Sequence, residues 1–339
     1  MEIGNIGCIA SVGVIAADVF TQRLNSVMSS LVILGASGFI GRTLIAVGRS
    51  PLPIKAVARN IPFDVDITQK GVVWFEADLS KATSLYDLLA TGDVVINLAY
   101  KIDANEVDNI AIIDNIINAC LRSRVSRLIH CSTAVVAGAT RVSRVVESTP
   151  CLPLTPYERT KWTIEQRVLS ALPRGLDVGI LRPTAVVGPG GQNLLKLATS
   201  LVSGSAFANY LRASLFGRRP MHLVPVRNVT AALLHLAVLP AALNGDIYIV
   251  SSDDDPHNNF HDIEEIMLRS LGLRPRKLPL LPLPSKVLSL ALRLLGRSEV
   301  GIARIYDSGK LHDGGFKPMD SVVSAVQEFG ENIKNGEKH

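Results

Sequence analysis

The sequence lacks the features that a membrane-spanning, metal-binding or nucleic-acid-binding chain would need. No run of 18 or more purely apolar residues occurs, so no spanning helix is expected, although the mean hydropathy of +0.29 is high. The four cysteines, Cys8, Cys120, Cys131 and Cys151, have no metal-ligand spacing, and no other His, Asp or Glu cluster has it. No metal is therefore expected, and free thiols in a reducing, cytoplasmic setting are the simplest account. Basic residues exceed acidic ones by 35 to 30 but are dispersed rather than in runs. A mildly basic surface accounts for the net charge of +5 better than nucleic-acid binding does. Attraction for an anionic ligand or membrane surface stays open. Glu2 stands where a secretory signal would carry positive charge, and the first basic residue is Arg23. Internal repeats and low-complexity segments are absent too.

What is present is apolar substance and a glycine pattern. Hydrophobic residues make up 47% of 339 and charged ones 19%, enough for a sizeable core in one large or two joined domains. Residues 31–41, Leu-Val-Ile-Leu-Gly-Ala-Ser-Gly-Phe-Ile-Gly, organise the rest. The apolar run 31–34 reads as a buried parallel strand. Gly35 then allows a tight turn, Gly38 lets backbone approach a pyrophosphate, and Gly41 lets a helix running to about residue 48 pack on the sheet. The helix start, with Ser37, Phe39 and Ile40, offers free N–H groups and a positive dipole end to phosphates. A glycine triplet alone is an ordinary turn. Between a strand and a helix it is the pattern of a dinucleotide site. Met28 lies where such a chain would naturally begin, so residues 1–27 read as a dispensable extension, with a membrane-surface anchor as the alternative.

A second strand over 54–58 ends in Arg59-Asn60, not in the carboxylate that would bind the ribose 2′-hydroxyl of NAD. An arginine pairs with a 2′-phosphate, which favours NADP over NAD; a surface arginine is the plain alternative. The third strand, 72–75, closes with Glu76-Ala77-Asp78-Leu79. Asp78 is placed to meet the adenine amino group, to cap a helix beginning near Lys81, or both. The fourth strand, 93–98, ends Asn97-Leu98-Ala99-Tyr100, where a small Ala99 lets the strand edge lie against a cofactor. A helix over about 104–123 and a strand over 127–130 follow. This alternation predicts an α/β chain: a doubly wound parallel sheet of the Rossmann kind, with its ligand at the carboxyl ends of the strands.

Ser132-Thr133 follows the fifth strand, and Tyr157-Glu158-Arg159-Thr160-Lys161 lies about twenty-five residues on, in a helix reaching about residue 171. Tyr157 and Lys161, four apart, share a helical face. A free tyrosine has a pKa near 10, too high for a base at neutral pH. The Lys161 ammonium and a cationic nicotinamide ring would favour the phenolate; a fall of about 3 units corresponds to about 4 kcal/mol. Thr133 or Ser132 would hold the substrate oxygen, giving a proton-transfer site beside a hydride carrier. On its own a Tyr-x-x-x-Lys pair is usually chance; its weight here comes from the glycine turn and the hydroxyl pair.

Gly35-x-x-Gly38-x-x-Gly41, Asp78-Leu79, Asn109, Ser132-Thr133, Tyr157-x-x-x-Lys161, Arg182-Pro183 and Val187-Gly188-Pro189-Gly190 together resemble the extended short-chain dehydrogenase/reductase superfamily. Over about residues 30–330 the likeness is to its NAD-dependent epimerase/dehydratase group, which acts on nucleotide sugars. The resemblance implies that Tyr157 is the acid/base, Lys161 its partner and ribose ligand, and Thr133 the holder of the substrate hydroxyl. It also implies that Pro183 and Thr184 lie near the nicotinamide. Where sugar dehydratases of the group carry an Asp-Glu pair, this chain has Ala134-Val135, which cannot transfer protons; dehydration is not expected. Ala137, Ile112-Ile113 and Asn228 also depart from the group's pattern and mark a divergent member.

The second half reads as the substrate side. A sixth strand over 176–181 leads into Arg182-Pro183, and a helix is expected near 193–203, with Asn193 toward the substrate. Arg218 and Arg219 precede an extended run over 221–226, and by resemblance one of them meets a diphosphate; a solvated turn is the alternative. His222 and His235 read as structural, and Asp253-Asp254-Asp255 as a loop. The proline- and leucine-rich run 273–284 reads as extended and 285–297 as a leucine-rich helix. That helix packs on the core or covers the sugar, or else makes a monotopic contact with the inner face of a membrane. The expected division is 1–28, a Rossmann domain over 29–185, and a smaller C-terminal substrate-binding α/β subdomain over 186–335, with about 222–250 returning to the Rossmann part. The expected activity is NAD(P)-dependent 4-keto reduction or C4 epimerisation of a nucleotide-activated or lipid-linked sugar for surface polysaccharide. The partners are that substrate and, by resemblance, a second copy in a homodimer, with no nucleic acid. The alternatives are a dehydrogenase of a hydrophobic, steroid-like alcohol and a non-catalytic NADP-binding regulator.

Overall fold

A computed structural model describes residues 30–47, 50–276 and 304–336. The expected N-terminal extension, most of the run 273–284 and the helix over 285–297 lie outside them.

The strand β1 (Leu31–Leu34) is buried at every residue and feeds α1 (Phe39–Val47). The order continues through β2 (Ile54–Ala58), β3 (Val72–Glu76), β4 (Val94–Asn97), α2 (Glu106–Arg122), β5 (Arg127–Cys131), β6 (Arg144–Val145), α3 (Pro156–Leu169) and β7 (Asp177–Pro183). The second half adds β8 (Ala185–Val187), α4 (Leu195–Ser203), α5 (Ala206–Phe216), β9 (Leu223–Pro225), α6 (Val226–Val238), β10 (Ile247–Val250), α7 (Phe260–Ser270), β11 (Ile305–Tyr306), α8 (Gly309–Asp313) and α9 (Val322–Lys334).

Seven strands form one parallel sheet in the order β10–β7–β5–β4–β1–β2–β3. Leu31 pairs with Ile54 on one side and Val94 on the other, so the glycine turn leaves from the middle of the sheet, where the strand order reverses. The central strands are apolar on both sides because both faces are covered. Ile33, Ile96 and Ile129 pack against α1 and α6. Val32, Val95 and Leu128 pack against α2 and α3. A third core joins α4, α5, α7 and α9 around β8 and β9, with Leu201, Ile263, Met267 and Val326 inside it. The small pairs β8–β9 and β6–β11 complete the second half.

Two segments depart from the sequence reading. The helix expected from Lys81 is only a short 3₁₀ turn at Ala82–Leu85. Asp78 spends its carboxylate on the Ser80 N–H (3.1 Å) and hydroxyl (2.7 Å), which closes a local turn, and Lys81 supplies no side-chain cap. Helices α5 and α7 had no counterpart in the reading. Asn228, at the position where the family often has Asp, accepts from the Met319 and Asp320 N–H groups (2.8 and 2.9 Å) and donates to the Asp320 carbonyl (2.8 Å). An aspartate could make only the two accepting bonds. No helix among the described residues is long and apolar enough to cross a membrane.

Candidate active site

The glycine turn has the shape a pyrophosphate needs. Gly35 has φ +85°, a conformation L side chains avoid. A Cβ on Gly41 would lie 2.6 Å from the Gly35 carbonyl oxygen and 2.7 Å from that of Ala36, so only glycine brings α1 this close. On Gly38 a Cβ would meet only the Gly35 oxygen, at 3.3 Å; the rest of that face is open toward the cleft. The first turn of α1 carries no acidic residue, so nothing opposes an anion at its N-terminus.

From this turn a cleft of about 980 Å³ runs along the carboxyl ends of β1, β4, β5 and β7. Gly35, Gly38, Phe39, Ile40, Gly41, Leu98 and Tyr100 line it at one end and Ser132, Thr133, Tyr157, Lys161, Pro183, Thr184 and Asn193 at the other. The Ser132 and Thr184 hydroxyls are buried and make no hydrogen bond among the described residues, so each has bonding capacity for an arriving polar group. Open glycine backbone, an unopposed helix N-terminus and orphaned hydroxyls fit a nicotinamide dinucleotide.

Helix α3 begins one residue before Tyr157. Thr155 accepts from the Glu158 N–H (3.2 Å) and Glu158 reaches back to the Thr155 N–H (3.2 Å), while Pro156 occupies the first turn. This capping box fixes the first turn, and Lys161 follows one turn later on the same face. Thr133 follows β5 from the other side, accepting from the Val135 N–H (3.4 Å) and close enough to the Tyr157 hydroxyl to act on its pKa.

The electrostatics differ from the expectation that Lys161 lowers the Tyr157 pKa. The phenol is pushed up to about 12, chiefly by burial and then by Tyr100 and Cys131; the Thr133 hydrogen bond works the other way but is outweighed. The Lys161 ammonium is turned elsewhere, 3.5 Å from the Cys131 carbonyl and 4.4 Å from the Tyr100 ring centroid. It is fully buried, which lowers its own pKa. Tyr157 is therefore protonated at neutral pH.

Several expected residues stand elsewhere. Asp78 is engaged with Ser80, and neither it nor Leu79 lines the cleft; Asn115 holds this turn by donating to the Leu79 carbonyl (3.1 Å). Arg59 is exposed at the end of β2 with no ion pair among the described residues. Ala99 donates its N–H to Asn97 (3.0 Å) and does not line the cleft. Ser37 accepts from Arg42 at its carbonyl (3.0 Å). Arg218 faces Asp262 at 3.5 Å and Arg219 lies over the Phe216 ring; neither lines the cleft. His222 bonds Asp253 (2.6 Å) and His235 the Gly314 carbonyl (3.0 Å).

Sequence reasoning missed three features. His130 is buried at the end of β5, its Nδ1 against the Asn97 amide (3.1 Å) and its Nε2 without a partner. Burial and the nearby Lys161 charge push its pKa well down. Arg42, just after the glycine motif, pairs with Asp64 (2.6 Å) at the cofactor end. Tyr100 meets Tyr157 edge-on at 5.5 Å between centroids. Tyr100 was expected at the cofactor, though not in this contact; of the other two only Arg42 carried a signal, through its place beside Gly41.

A doubly wound sheet with a glycine turn at its reversal point and a Thr, Tyr and Lys group beside it defines an extended short-chain dehydrogenase/reductase. Residues 31–248 match the NAD dependent epimerase/dehydratase family, and the chain belongs to it. It is 30% identical over 261 residues to the human protein named short-chain dehydrogenase/reductase family 42E member 1, a match that covers 68% of this chain and 65% of that protein. The chain thus spans just under two thirds of that relative's length. It is 28% identical to the 2-alkyl-3-oxoalkanoate reductase of Stenotrophomonas maltophilia, over 66% of this chain and 71% of that one. To the sterol demethylase protein B of Methylococcus capsulatus it is 27% identical, over 65% and 69%. Among solved structures, the UDP-Glc/GlcNAc 4-epimerase of Campylobacter jejuni superimposes with a TM-score of 0.65 at 17% identity, over 91% of this chain and 99% of that one. RMD from Pseudomonas aeruginosa, solved with NADPH, gives 0.63 at 18%, over 91% and 100%. At such identities these structures speak for the fold alone.

Proposed function

We propose that this chain is an NAD(P)-dependent oxidoreductase that interconverts a ketone and a secondary alcohol on a largely apolar substrate. The observation that carries the substrate class is the lining of the cleft. Around the catalytic group stand Ile102, Val135, Ala185 and Val186, and the only charged lining residues among those described are Lys161 and Glu106. A nucleotide diphosphate calls for arginine or lysine. Arg218 and Arg219, the side chains expected to supply it, do not line the cleft. The reductase and sterol relatives support the same reading, by the substrates in their names. It places the steroid-like alternative ahead of the nucleotide sugar.

A bound nicotinamide supplies the hydride. This chain's residues handle the proton and the geometry. Thr133 and Ser132 hold the substrate oxygen, and Tyr157 gives that oxygen its proton during reduction, which a phenol with a pKa of about 12 is protonated to do. In the oxidative direction Tyr157 takes the proton back, while Lys161, turned to the Cys131 carbonyl and the Tyr100 ring, holds the nicotinamide ribose. Arg59, unpaired beside β2, favours NADP.

The test is cofactor oxidation by purified protein against two panels, apolar ketones (steroid and long-chain 3-oxo compounds) and 4-keto nucleotide sugars, each with NADPH and NADH. Turnover of the apolar panel with NADPH, abolished by Tyr157→Phe, is expected. Turnover of the sugar panel alone overturns the substrate class, and full activity of Tyr157→Phe overturns the mechanism.

A further inference from the structure

Between Asp177 and Asp246 the chain contains no acidic residue. Within that stretch α4 and α5 form a hairpin linked only by Gly204 and Ser205. Asn209 clasps the two helices by donating to the Ser200 carbonyl (2.8 Å), and Arg212 by donating to the Ser200 hydroxyl (2.6 Å). The inner faces are spent on the third core, where Leu197, Ala198, Leu201 and Ala213 are buried.

The outer rim of the hairpin is not the polar surface a helix turns to water. Phe207 is 75% exposed, Val202 59%, Leu211 49% and Leu195 39%. Phe207 and Leu211 are one turn apart and share a face of α5. Single exposed apolar residues are ordinary; four on one short hairpin are not. Cations frame them. Lys196 is exposed on α4, and Arg218 and Arg219 follow α5 directly. The one carboxylate that answers Arg218, Asp262 at 3.5 Å, is already shared with His257, His261 and Asn259.

We propose that the α4–α5 hairpin docks this protein on the surface of an anionic lipid bilayer. Phe207, Leu211, Val202 and Leu195 enter the headgroup boundary, and Lys196, Arg218 and Arg219 face the lipid phosphates. An apolar rim alone would suit any greasy partner. An apolar rim in a stretch free of acid, framed by cations, suits a sheet of phosphates over hydrocarbon. The hairpin also begins at the cleft, since Val186 and Asn193 line it and Leu195 opens α4. Docking there sets the mouth of the cleft against the phase in which an apolar substrate dissolves. That consequence rests on the proposed substrate class; the docking itself does not.

The experiment is co-sedimentation of the full-length protein with phosphatidylcholine vesicles, with and without phosphatidylglycerol, in the absence of substrate. The protein is expected to sediment with the anionic vesicles only, less so at raised salt. Phe207→Ser with Leu211→Ser should weaken this by about tenfold or more, and Lys196→Glu severalfold, with melting temperature and NADPH affinity unchanged. No sedimentation of the wild type overturns the proposal. Equal sedimentation of the double variant assigns lipid binding to another part of the chain and also overturns it. So does a double variant that turns a wild-type dimer into a monomer while vesicle binding stays absent, because the face is then an interface between copies. Activity on ketones plays no part in these readouts, so a wrong substrate class and a wrong docking surface fail separately.

Discussion

The Lys161 ammonium lies 4.4 Å from the centroid of the Tyr100 ring, over its negative face. Tyr100 in turn meets Tyr157 edge-on at 5.5 Å, so one aromatic ring touches both members of the proposed catalytic pair. A cation over an aromatic face is held by about 0.5 to 2 kcal/mol, which matters for an ammonium whose burial already disfavours its charge. Tyr100→Leu is expected to lower kcat about tenfold while KM for substrate changes little. Tyr100→Phe keeps the ring face and should stay close to wild type. Equal losses in the two variants would mean that the Tyr100 hydroxyl, not its ring, matters.

Arg182 and Glu165 form a buried two-point ion pair, Nε to Oε1 at 3.0 Å and a terminal nitrogen to Oε2 at 2.6 Å. It ties β7 to α3, the helix that carries Tyr157 and Lys161. Removing one partner strands the other charge in the core, at a cost of about 3 to 5 kcal/mol. Glu165→Ala and Arg182→Ala should each lower the unfolding free energy, read from denaturant titration, by that amount. Replacing both with leucine should cost less than either single change. A single variant of wild-type stability would show that the pair is not the tie described.

Gly41→Ala puts a methyl group 2.6 Å from the Gly35 carbonyl, and backbone on both sides cannot yield as a side-chain tip would. Helix α1 must then move off the turn, and its N-terminal amides go with it. NADPH affinity is expected to fall by about a hundredfold, on the order of 3 kcal/mol, in a fluorescence titration. An unchanged dissociation constant would remove this turn from the cofactor site.

How much of this was legible in the sequence depends on the range of the interactions. The glycine turn, the alternation of strand and helix and the Tyr157–Lys161 spacing are local patterns, and local patterns survive in one dimension. Asp78 was ambiguous because its competing partner, Ser80, is as local as a helix cap would be. The direction of the Tyr157 pKa was misread because it depends on where the Lys161 side chain turns, which spacing along a helix does not fix. Arg218 and Arg219 were read toward a diphosphate because only the tertiary fold sets which loops border the cleft, and theirs does not. His130 gave no signal at all: a histidine inside an apolar strand looks the same whether or not its second nitrogen has a partner.

That histidine makes a testable pH dependence. His130 accepts from the Asn97 amide at Nδ1, so its proton sits on Nε2, and the Lys161 charge from α3 faces it across the site. Burial and Lys161 hold its folded pKa well below 6.5, whereas in the unfolded chain it titrates near 6.5. Above that pH both states are neutral and the group contributes no slope. Below it the unfolded chain takes up a proton that the native state refuses, so stability falls by about 1.4 kcal/mol per pH unit. Wild type should therefore lose stability to urea between pH 7 and pH 5 more steeply than His130→Gln, which cannot titrate. The difference should approach about 2 kcal/mol at the acid end. Parallel profiles for the two proteins would show that His130 is protonated equally in both states, so that burial and the Lys161 charge do not hold it neutral.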